Sequence, residues 1–415
     1  MLQAQVAPAP EATRTRLIVE PPGAVRQSVL PAEDDERAEA EAAVAGIPPA
    51  LLRQFGATIR QTHERARVVV IDVPADQQRA LIEALAAIGI SARPPNPVQP
   101  MLNESVPLLN IPPVWRAGFD GLGMRVAIVD TGIEASHPDF AGRVAAQSDF
   151  SGIGDIDDVG HGTHVAGIVA GGGAVYRGVA PRATLVVAKA LSAAGGTEDA
   201  VLAAMSWASR QNVQVMNLSL GGPGSPTSPL SREVDALAAA GIIVCVAAGN
   251  AGPGAGTISS PGDAKGALTV GAADKESALA FYSSRGPVAG VRYRKPDLVA
   301  VGGGVTKGAA CAYGTGVVSA RAQALAKDPC AVVPQYVRMS GTSMATPHVA
   351  GICALLLQAI GADSASVATR STRVRRALMS SARAMRGSTK SETGAGLVDA
   401  DRALALLRTK RRVAA

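Results

Sequence analysis

Asp130, His161 and Ser343 are the residue types that acyl transfer to a hydroxyl requires, and they occur in that order, 31 and 182 residues apart. A serine hydroxyl is a weak nucleophile until an imidazole takes its proton, and the imidazole needs a carboxylate to hold its tautomer and stabilise the imidazolium. Each residue also has a plain local reading. Asp130 before Thr131-Gly132 suits a turn, Ser343 ahead of an apolar run suits a helix N-cap, and His164 suits a packed histidine. His161 and His164 lie one helical turn apart, a spacing open to a metal, but no third ligand stands at a recognisable spacing, so packing is the reading kept.

The elements that must position these residues are legible around them. MRVAIVD reads as a buried strand ending at Asp130, and HGTHVAGIVA as a helix opening at His161. Ser343 opens MATPHVAGICALLLQ, a buried helix whose early Pro347 is tolerated because the first N–H groups have no intrahelical partner. Its backbone N–H groups and dipole favour a developing negative charge. Between these motifs TLVVAKA, VQVMNLSL, GIIVCVAA and ALTVGAA read as strands alternating with helices near 198–210 and 231–240. Strands that are apolar throughout indicate an α/β fold, a mostly parallel sheet covered by helices on both faces.

The segments VAIVDTGIEASHPDF, GHGTHVAG and SGTSMATPHVAG, with SLGG, AAGN, SSRGP and the closing GAGLVDADRAL, resemble the subtilase family over residues 106 to 402. That resemblance implies a subtilisin-like serine endopeptidase with Asp130, His161 and Ser343 as triad and Asn250 as an oxyanion donor. It implies that protein or peptide substrate lies extended between two backbone edges, Ala194, Gly195, Gly196 and Thr197 on one side and Ser219, Leu220 and Gly221 on the other. The pocket for the residue before the cleaved bond would be walled by Ser219, Leu220, Gly221, Ala247, Ala248 and Gly249, with Ser259 near its floor. None is acidic, which argues against a preference for Arg or Lys there. Asp155, Asp157 and Asp158 precede His161 on a loop that borders the outer pockets in relatives. They either favour basic side chains there or form a solvated acidic loop. A transacylase or peptide cyclase sharing the acyl-enzyme, and a noncatalytic scaffold, are the alternative functions.

No cofactor is expected. Relatives hold calcium through an Asn-containing loop after the His161 helix; Asp139 matches their aspartate, but the loop here is AGGGAVYRGVAP, without the other oxygen ligands.

Residues 1–45, rich in Pro, Ala and Glu, read as a mobile tail. Residues 46–94 hold a strand (RVVVIDV), a helix (ADQQRALIEALAAIGI) and a further strand at SAR, placed like a subtilase prosegment that would inhibit its own enzyme. A proline-rich linker covers 95–105, the peptidase domain 106–407, and a basic tail 408–415. The net charge of +6 is concentrated in RSTRVRRALMSSAR and RTKRR without interleaved aromatics, which argues against a nucleic-acid partner. The apolar runs fall short of the roughly 20 residues of a membrane span. The first thirty residues lack a secretory apolar stretch, leaving two locations open: cytoplasmic, or secreted with a signal absent from this sequence. Cys245 and Cys353 read as core thiols, and Cys311 and Cys330 as a pair able to bridge one loop.

Overall fold

The computed structural model describes residues 14–20, 46–63, 68–94, 105–304, 315–361 and 366–412. The chain divides into two compact units, Met1–Gln99 and Pro100–Ala415.

In the first unit, β1 (Arg14–Glu20), β2 (Thr58–His63), β3 (Val68–Pro74) and β4 (Ser91–Arg93) form an antiparallel sheet in the order β2-β3-β1-β4. Alternation in β3 turns Val69, Ile71 and Val73 inward, where they meet Leu17 and Val19 of β1 and, from the helix Gln78–Ala87, Leu81 and Leu85 four residues apart. The reading of residues 1–45 as a mobile tail is therefore corrected for Arg14–Glu20, a central strand of this sheet. Alternating RTRLIVE has a buried Leu-x-Val face only because β3, some fifty residues on, supplies its partner. The strand at Thr58–His63 also went unpredicted. Residues 95–104 of the expected linker and residue 311 of the expected Cys311–Cys330 pair fall outside the described residues, whereas Ser105, placed in that linker, opens a short helix, Ser105–Leu108.

In the second unit, β5 (Arg125–Asp130), β6 (Val144–Asp149), β7 (Thr184–Lys189), β8 (Val215–Leu218), β9 (Ile243–Ala247), β10 (Leu268–Ala273) and β11 (Leu298–Val301) form a seven-stranded sheet, ordered β11-β10-β9-β8-β5-β7-β6. Every pairing in it is parallel. Apart from the edge strand β6, its strands are buried on both faces. Val126 and Ile128 face one core with the helices His161–Ala170 and Thr342–Ile360; Ala127 and Val129 face the other with Ala204, Met205 and Val234. From β5 the chain goes out to the edge strand β6, returns to β7 beside β5, then resumes on the other side at β8. This reversal lies beside β5, and the crevice at the carboxyl ends of strands around such a point is where α/β sheets place ligands. Asp130 ends β5, Ser219 follows β8, and Asn250 lies just beyond β9.

A smaller antiparallel sheet, β12 (Val317–Ala320), β13 (Ala331–Val333) and β14 (Tyr336–Met339), leads to the Ser343 helix. That helix, Thr342–Ile360, is long and apolar enough to cross a membrane by length and composition, against the expectation that no run is, yet 83% of its apolar window is buried inside the fold. The expected basic tail from residue 408 is corrected too, since the last helix runs from Ala400 to Arg412.

Candidate active site

Strand β5 delivers Asp130 to the crevice fully buried, and its Oδ1 lies 2.7 Å from His161 Nδ1. The same oxygen accepts from the Thr131 N–H at 2.8 Å, while Oδ2 is buried with no partner among the described residues. His161 reaches Asp130 because its helix starts against the turn after β5. Gly162 approaches so closely that a Cβ there would stand 2.2 Å from the Gly132 carbonyl oxygen. Burial disfavours the imidazolium of His161, but the charge and hydrogen bond of Asp130, with Asp157 adding to them, outweigh it and raise its proton affinity above the ordinary histidine value.

Ser343 lies in the first turn of its helix, where backbone N–H groups have no carbonyl a turn earlier to donate to. Its hydroxyl donates to the Ser219 carbonyl at 3.1 Å, and the Ser219 hydroxyl donates back to the Ser343 carbonyl at 2.8 Å. Asn250 and Ser343 both line one cleft of about 290 Å³. Ser219, Leu220, Gly221, Ala247, Gly249 and Ser259 line it as well, whereas Ala248 is completely buried behind it, its N–H donating to the Val270 carbonyl and its carbonyl accepting from the Ser259 N–H. Gly222 and Ser260, each next in sequence to a lining residue, exchange a reciprocal pair of backbone hydrogen bonds. Ala194, Gly195, Gly196 and Thr197 lie apart from it on an exposed turn, where Ser192 and Gly195 exchange backbone hydrogen bonds.

The roles of four residues escaped the sequence reading. Thr342 binds the Asn250 side chain, Thr131 bridges to the His161 helix, Asp157 is buried, and Lys189 is buried at the end of β7 beside Asp130. Lys189 Nζ donates to the carbonyls of Thr131 (3.0 Å) and Ile156 (2.8 Å) and pairs with Asp158. The register Asp130 to Lys189 becomes visible only once β5 and β7 are paired. Of the three loop acids read as facing substrate or solvent, Asp157 turns inward and Asp158 is held by Lys189.

His164 does not share a ligand set with His161. Its Nε2 faces the carbonyls of Val317 and Val337, and burial holds its pKa down at about 3, so the ring is a neutral donor to the backbone. Asp139, the aspartate matched to the calcium loop, accepts from the Tyr336 hydroxyl at 2.9 Å and packs against Gly173, where a Cβ would stand 2.7 Å from its Oδ1. Its described neighbours are this phenol, the His137 ring with Nδ1 4.0 Å from Oδ1, the Arg143 guanidinium and the bare glycine backbone.

A parallel sheet with this crevice and this pair at its strand ends defines the subtilisin-like class. The sequence model of the subtilase family matches residues 121–397, and the chain belongs to that family, a family of serine peptidases. It is 40% identical over 268 residues to serine protease AprX of Bacillus subtilis, an alignment covering 57% of this chain and 58% of that one. It is 36% identical over 267 residues to subtilisin DY of Bacillus licheniformis, covering 63% of this chain and 86% of the relative. Among solved structures, a protease from Pseudoalteromonas arctica aligns over 75% of this chain and all of its own, with TM-score 0.60 and 25% identity.

Proposed function

We propose that this protein is an endopeptidase that cleaves peptide bonds through an acyl-enzyme on Ser343. The contact of 2.7 Å between His161 Nδ1 and buried Asp130 carries the reading. It commits the Nδ1 proton to the carboxylate and leaves Nε2 basic, free to take the Ser343 proton once that hydroxyl swings from Ser219 to the imidazole. The hydroxyl oxygen then adds to the substrate carbonyl. The oxyanion receives hydrogen bonds from the Asn250 amide and the Ser343 backbone N–H, and His161 returns the proton to the departing amine. Water repeats the sequence to release the acid. The cleft beside Ser343 offers small, uncharged walls, which suits a large apolar or neutral residue before the cleaved bond.

The unit Met1–Gln99 has its own core and serves, in this reading, as a prosegment released by self-cleavage in the segment after Arg93. Incubation with a peptide library and a fluorophosphonate tests the proposal. Wild type should hydrolyse peptides, label at Ser343 and shorten, whereas Ser343→Ala should do none of these. Peptide hydrolysis by Ser343→Ala would refute the assignment, and a product joined to an added amine would favour the transacylase.

A further inference from the structure

Asp157 is 1% exposed in a loop whose neighbours Asp155, Ile156 and Asp158 face solvent. Its Oδ1 accepts from the Thr131 hydroxyl (2.8 Å), the Gly160 N–H (2.7 Å) and the Val159 N–H (3.2 Å). Its Oδ2 accepts from the Thr163 N–H (2.8 Å) and hydroxyl (2.6 Å). Five donors and no acceptor address this side chain, an arrangement only a carboxylate fills. The donors belong to two places that must not move apart. Gly160 and Thr163 flank His161 in the first turn of its helix. Thr131 follows Asp130, gives its own N–H to Asp130 Oδ1, and accepts the Gly162 N–H at 2.8 Å. Asp157 touches neither the reacting atoms nor the cleft.

We propose that Asp157, acting through the Thr131 hydroxyl, is a positioning residue that fixes the Asp130 strand end to the His161 helix and thereby sustains the chemical step. The proposal rests on the peptidase reading. An angstrom of misplacement in such a pair costs on the order of 10²-fold in rate, and nothing about substrate contact need change. The charged or titratable groups around the pair are Asp130 on β5, Lys189 on β7, Asp155 and Asp158 on the loop, and His164 on the helix. Lys189 is already engaged by Asp158 and two carbonyls, and His164 is neutral. Asp157 is therefore a second negative charge acting on the His161 imidazolium.

Three variants of the full chain test this: Asp157→Asn, Thr131→Val and Thr131→Ser. Asp157→Asn sets an amide donor against donors, and Thr131→Val deletes the hydroxyl while keeping its shape. Both should lower kcat roughly 10- to 100-fold with KM little changed. Thr131→Ser retains the hydroxyl and should restore most of the rate. In addition, the His161 ring, followed by NMR in Ser343→Ala and in Ser343→Ala/Asp157→Asn, should titrate at lower pH when the second charge is gone. That titration needs no turnover, so an inactive wild type would sink the peptidase reading alone. Equal kcat in Thr131→Val and wild type, or an unchanged His161 titration in a folded Asp157→Asn chain, would overturn the positioning role. If Asp157→Asn fails to fold, the Val and Ser pair at Thr131 still decides it.

Discussion

The side-chain oxygen of Asn250 accepts two hydrogen bonds from Thr342, one from its N–H and one from its hydroxyl, each 2.9 Å. With its acceptor engaged, the amide presents Nδ2 as the donor beside Ser343. Asn250→Ala should therefore lower kcat on the order of 10²–10³-fold, a size carried over from subtilisin itself, where such a donor was removed. KM should hardly change, because the donor acts on charge that develops after binding. Steady-state kinetics on one peptide ester and one peptide amide check this, and a loss confined to KM would contradict it.

Asp130→Asn should fold, since a buried oxygen with no partner among the described residues tolerates a neutral amide better than most buried sites do. Its kcat should drop by about 10⁴, a size taken from the same change in trypsin, because an amide can hold the imidazole in the wrong tautomer. Circular dichroism and turnover, measured on the same preparation, separate loss of fold from loss of chemistry.

The pH profile should reveal the Asp130 field. His161 must be neutral to act as base, and its proton affinity is raised above the ordinary value of 6.5. Activity should thus appear as pH rises through a midpoint above 6.5, and kcat/KM against pH measures it. A midpoint below 6.5 would mean that desolvation outweighs the carboxylate.

Two other histidines should govern acid stability. Burial lowers His164 to about 3 and His348 to about 4, so between 6.5 and those values the unfolded chain binds protons that the folded chain refuses. The stabilisation is complete above pH 6.5 and is lost as pH falls, by about 1.4 kcal/mol per histidine per pH unit. His348 sits between the Met344 carbonyl and the Ser105 hydroxyl, both at 2.8 Å. Thermal midpoints at pH 7, 5.5 and 4.5 should fall steeply for wild type and less steeply for His348→Gln, whatever the offset between them at pH 7.

Pocket width is set in part by Gly221, where a Cβ would stand 2.5 Å from Ser259 Oγ. Gly221→Val should narrow the cleft and shift preference before the cleaved bond from large apolar residues toward Ala or Gly. The shift in relative kcat/KM should reach at least roughly 10- to 100-fold, since a single methylene is already worth about that much and valine adds three carbons. A library profile left unchanged would place that side chain elsewhere.

Short motifs made five of the seven strands of the parallel sheet and the reactive side chains legible, because a buried strand end, a helix start and a Gly-flanked turn are local properties of a few residues; the two edge strands, β6 and β11, went unread. The same local reading failed where identity depends on a partner far along the chain. Nothing in DIDDVGHG separates Asp157 from Asp158, yet one lies beneath the His161 helix and the other meets Lys189. Nothing in RTRLIVE marks a central strand until β3 pairs with it. The buried Lys189 and the Thr342 clamp on Asn250 are equally silent in sequence. Residue types and spacing determined which groups are present and on which kind of element. Which donor meets which acceptor was decided by tertiary packing, since a hydrogen bond between residues 26 or 92 positions apart exists only after the sheet and its helices have brought them within 3 Å.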